Sequence, residues 1–110
     1  MLADECRVET PCGDDSDHVR SWFVYVVKLT AGIDREHVIE ELASAGIATS
    51  RYLPSIHLQP YMRERFGFTE GAFPVCEETS ARTLALPFFT DITEGQQLRV
   101  AAALRAALDG

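Results

Sequence analysis

The sequence predicts an α/β (α+β) two-layer domain: a small, mostly antiparallel three-stranded sheet covered by helices. Three observations carry that expectation. An almost unbroken aromatic and β-branched run, SWFVYVVKL over residues 21–29, reads as a strand buried on both faces or nearly so. Two shorter strand-like stretches, ATSRYL and LAL, are each stopped by a proline, Pro54 and Pro87. Between and after them lie helical segments with recognisable starts and stops. The resulting order, β-α-β-α-α-β-α, favours helices packed on one small sheet.

Residues 1–17 are polar and hold Pro11, Gly13 and paired aspartates, so they read as an acidic flexible lead or linker. The domain proper is then 18–110. In the first strand Trp22, Val24, Val26 and Lys28 share one face, and Phe23, Tyr25, Val27 and Leu29 the other. The first helix starts at a cap, Asp34, and stops at Gly46, with Ile39, Leu42 and Ala43 at helical spacing. ATSRYL is the second strand. A helix follows from about Leu58 or Gln59 to Phe66, because Pro60 fits only a first turn and Gly67 supplies a stop. Pro74 marks the start of the third helix. LAL is the third strand. Thr93 and Gln96 have the spacing of a capping box, and the last helix carries Leu98, Ala101, Leu104 and Leu108 as its apolar stripe.

At 110 residues the chain suits one domain with one modest core. No apolar run approaches the ~20 residues that span a bilayer. The beginning lacks the basic and apolar regions of a signal peptide, so a cytoplasmic location is expected. The formal charge of -7 is uneven: the first 17 residues carry -5 and the rest -2. Neither part has the basic stripe that nucleic acid requires. Three cysteines without a CxxC pair exclude a disulfide framework, and they read as unbridged thiols. The three histidines show no metal-ligand spacing.

Polar chemistry concentrates in RYLPSIHLQPYMRERFGF, residues 51–68. Tyr52, His57 and Gln59 stand on a backbone fixed by Pro54 and Pro60, which reduces the entropy lost in holding them. Two readings are open. They present donors and acceptors to a polar ligand, or His57 and Gln59 cap the helix that follows. Arg63 and Arg65 read as that helix's wet face, and Lys28, the only lysine, as a solvated charge. His37 reads as a surface residue. His18 is either a surface residue or a contact to something outside the domain. Ser80 lacks a histidine at any diagnostic spacing.

The succession of the aromatic strand, REHVIEELASAGIATSRYLPSIHLQPYMRERFG and FPVCEETSARTLALPFFTDITEGQ resembles the C-terminal region of the DegT/DnrJ/StrS family. These are pyridoxal-phosphate-dependent sugar aminotransferases, and the resemblance covers about 20–108. It implies the small C-terminal domain of a fold-type I aminotransferase. The cofactor and its lysine belong to a large N-terminal domain that this sequence does not resemble. It further implies homodimers, nucleotide-linked keto-sugar substrates, and glutamate as the usual amino donor. Tyr52, His57 and Gln59 match the family's YxPxHxQP pattern, which implies that they line the sugar side. No catalytic residue and no metal ligand is expected in this chain, and no pyridoxal phosphate held by it alone. A free-standing, non-catalytic binding or regulatory module with the same fold is the alternative.

Overall fold

The computed structural model describes residues 2, 5–19 and 21–110. Strands β1 (Val8–Glu9), β2 (Tyr25–Leu29) and β3 (Thr83–Leu86) form one antiparallel sheet in the order β1-β2-β3. The helices are α1 (Arg35–Ser44), α2 (Pro60–Phe66), α3 (Pro74–Arg82) and α4 (Glu94–Asp109), with a 3₁₀ turn at Ile56–Leu58. This is the α/β class expected.

Side chains alternate across β2, and the alternation decides where the core lies. Val27 and Leu84 are register partners, and both are fully buried. Leu29 and Leu86 extend the same face, which packs with Val38 and Leu42 of α1 and with Ala101, Leu104 and Ala107 of α4. Burying one such leucine contributes about 1.5–3 kcal/mol. Val26 and Lys28, on the opposite face, are half-buried. The expectation of a strand covered on both sides is therefore met on one face only.

Local signals set the helix ends. The Asp34 carboxylate accepts from the backbone N–H groups of Glu36 and His37. At the other end Gly46 takes φ +80°, its N–H bonds Ala43 O, and the Ile47 N–H bonds Leu42 O. That is a Schellman motif, with buried Ile47 and Leu42 supplying its hydrophobic contact. In α4 the Thr93–Gln96 capping box is complete in both directions.

Four expectations need correction. The front segment is not wholly separate: Leu2 and Val8 are in the core, and β1 pairs with the edge of β2. Edge N–H and C=O groups of β2 find partners there, and Arg7 anchors the segment between Glu5 and Asp109. Residues 10–19 carry no helix or strand. The second strand expected at ATSRYL reduces to one bridge, Ser50 with Ala85. Leu53 turns to φ +47° just before Pro54, so pairing cannot continue. The stripe of α1 is Val38 and Leu42, with Ile39 half-buried and Ala43 exposed. In α4, Leu98 is exposed. At about 100° per residue it lies well off the face shared by Ala101, Leu104 and Leu108.

Candidate functional site

The second face of the sheet floors an apolar bowl of about 1110 Å³. Val26 and Thr83 come from the sheet, and Val75, Cys76, Thr79 and Ser80 from α3. Segment 52–57 forms one wall, and Phe68, Ala72 and Phe73 form another.

Hydrogen bonds from beneath hold these walls. Buried Ser55 donates to Ser80 Oγ at 3.1 Å, and the Cys76 thiol donates to Ser55 Oγ at 3.8 Å. Arg35 donates to the carbonyls of Ser80 and Thr83, satisfying the C-terminal end of α3. The Arg82 guanidinium donates to Leu29 O at 2.8 Å, tying α3 to β2.

His57 lies at the base, 6% exposed. Phe73 meets its ring edge-on at a centroid distance of 4.8 Å, and Phe68 does so at 6.2 Å. Its Nε2 is 3.3 Å from Glu77 Oε2. That distance suits a hydrogen bond, but the orientation falls short of one, and Nε2 is buried without an aligned partner. The Glu77 carboxylate accepts from Gly71 N at 2.8 and 3.1 Å and from Phe73 N at 3.1 Å. The Gly71 N–H, then the Phe73 N–H and His57, hold this carboxyl below the usual range against the opposing effect of burial.

Of the residues singled out in the sequence, Tyr52 and His57 come together in the bowl. Gln59 is not among its lining residues. It joins the 3₁₀ turn to α2, and its carbonyl accepts from Met62 and Arg63. Its side chain makes no capping bond. The helix-cap reading thus fits the Gln59 backbone and not its side chain, while His57 faces Glu77. Arg63 and Arg65 are on the exposed side of α2. Glu77 and Ser55 were missed. The legible signal for Glu77 was a glycine and a helix-starting proline followed by an acid one turn later. Among the described residues no three potential ligands cluster as a metal site. No helix of the described residues is long and apolar enough to cross a membrane.

The DegT/DnrJ/EryC1/StrS aminotransferase family matches residues 2–105. Among solved structures, the aminotransferase TlmJ from Streptoalloteichus hindustanus superposes with a TM-score of 0.82 at 23% identity, covering 98% of this chain and 28% of that one. Putative sugar aminotransferase Spr1654 from Streptococcus pneumoniae, in its PMP form, gives 0.81 at 18% identity, with 98% and 27% covered. Sugar aminotransferase CalS13 from Micromonospora echinospora gives 0.78 at 22% identity, with 96% and 26% covered. The chain therefore spans about a quarter of the length of these structures.

The bowl does not fit the covalent holding of an aldehyde cofactor, which needs an amine. Its lining is apolar groups, hydroxyls, one thiol and one imidazole. Lys28 lies outside it, paired in register with Thr83 and Glu9. What the bowl offers is a shaped apolar wall with a few polar contacts, carried on a fold common to sugar aminotransferases. With residues 2–105 matched to the family, the chain belongs to the DegT/DnrJ/EryC1/StrS aminotransferases.

Proposed function

We propose that this chain is the small C-terminal domain, or a fragment containing it, of a pyridoxal-phosphate-dependent aminotransferase acting on nucleotide-linked keto-sugars. In this reading the cofactor and its lysine belong to a large domain of the same cytoplasmic enzyme, which works as a homodimer. The present chain contributes the substrate side, through Tyr52 and His57 in the bowl and Gln59 beside it. The observation that carries the reading is the meeting of Tyr52 and His57 in one concave apolar site. Concave apolar sites with few polar groups are where small ligands bind.

The test uses the complete enzyme. His57→Ala is expected to lower kcat/KM for the keto-sugar by about one to two decades, the equivalent of roughly 1–3 kcal/mol for a lost polar partner. The half-reaction with the amino donor should change little. Equal losses in both half-reactions, or none, would overturn the substrate-side assignment. Gln59→Ala reports how far the site extends past the bowl.

A further inference from the structure

We propose that Glu77 is a positioning residue: its carboxylate fixes the ring of His57 and keeps the proton of the neutral imidazole on Nε2. The consequence for a ligand in the bowl rests on the substrate-side reading given above. With Nε2 committed to Glu77, the nitrogen left to a ligand is Nδ1, an acceptor. Such an imidazole selects a hydroxyl or N–H donor over an anionic oxygen.

The argument begins with the carboxylate. Gly71 has φ +89°, which bends the chain so that its N–H reaches both Glu77 oxygens. Phe73 N–H supports Oε2 from the start of α3. A carboxylate held by two N–H groups stays ionised and has little freedom to turn away. The carboxylate has about four lone-pair sites for these two N–H groups, the Gly71 N–H being shared between its oxygens, so it can accept one more donor. His57 Nε2 is a buried ring nitrogen without an aligned partner, 3.3 Å from Oε2. The terminal torsion of a histidine ring is broad, so a small rotation aligns such a pair. The edges of Phe68 and Phe73 restrict the ring to the neighbourhood of that pose. A buried polar atom with an ionised acceptor next to it and no other partner among the described residues gains by using it.

The competing role for Glu77 is structural: a brace for the 71–73 turn that touches His57 by accident. Nitrogen-15 and proton NMR of the full 110-residue chain, recorded without ligand, separates the two. Positioning predicts a pyrrole-type shift at Nε2, a pyridine-type shift at Nδ1, and a downfield Nε2–H signal protected from exchange. In Glu77→Gln the brace can persist through the amide oxygen, as unchanged Gly71 and Phe73 amide signals would report. The Nε2–H signal should then move upfield or vanish. Glu77→Asp, charged but shorter, should restore it in part. A proton on Nδ1 in the unaltered chain, or an Nε2–H signal unchanged in Glu77→Gln, overturns the proposal. Because no sugar is present, a chain that positions His57 and yet ignores sugars would refute only the substrate-side reading.

Discussion

Arg7 shows how much a single side chain can organise. It donates to Glu5 at 2.8 Å through both Nε and Nη2, and to Asp109 at 2.6 Å. Hydrogen bonds from its guanidinium and backbone hold the Glu5 carboxyl down to about 2, and the Glu5 and Asp109 carboxylates raise Arg7 above its ordinary value. A depressed carboxyl stabilises the fold in full above its unfolded value of 4.5 and loses that contribution as pH falls through about 2. Acidification across this window should therefore lower the thermal midpoint. Arg7→Ala should make that decline shallower, and calorimetry at several pH values checks it. Leu53 offers a second measurement. Its left-handed backbone costs a non-glycine residue about 1–2 kcal/mol. Leu53→Gly is expected to be neutral or stabilising, and Leu53→Val destabilising, in urea titrations. Both features escaped the sequence because each is long-range or backbone-level. The same holds for His57: the sequence offered a ligand contact or a helix cap, and its burial comes from Phe68 and Phe73 packing against its ring.

Among the elements, those encoded within one turn of chain were legible. Thr93 and Gln96 satisfy each other's backbone donors locally, so α4 could be placed from its sequence. Thr93→Ala should cost about 0.5–2 kcal/mol. Adding Gln96→Ala should cost less than it does alone, since the box is already broken, and a double-mutant cycle in urea would expose that coupling. Gly67 likewise marked the stop of α2, while its start, expected near Leu58 or Gln59, falls at Pro60 behind an unforeseen 3₁₀ turn. Strand pairing was not legible to the same degree. Val8 lies among acids and a proline, and its strand character comes from the open edge of β2, about twenty residues later. ATSRYL has a strand's composition but meets a left-handed residue after one bridge. Pairing depends on what a segment finds opposite it, and composition cannot supply that.

For the whole molecule, the uneven distribution of apolar surface matters most. The core-facing side of the sheet is closed, whereas around the bowl Val75 is 76% exposed, Ile56 63% and Leu53 62%. Phe73 adds to this rim, and Phe88 and Phe89 are exposed elsewhere. Monomeric proteins seldom leave contiguous apolar patches beyond a few hundred Å². The chain by itself is expected to self-associate or to bind a hydrophobic dye, as sedimentation and dye fluorescence would show. Replacing Ile56 and Val75 with serine should reduce both signals, and a monomeric, dye-silent chain at high concentration would contradict the expectation. The contact between Arg7 and Asp109 has a mechanical consequence as well. Strand β1 and the last turn of α4 are fastened together at one corner. Tension applied from either side of that corner would load the packing of Leu2 and this clasp before it reached the sheet and the bowl behind them.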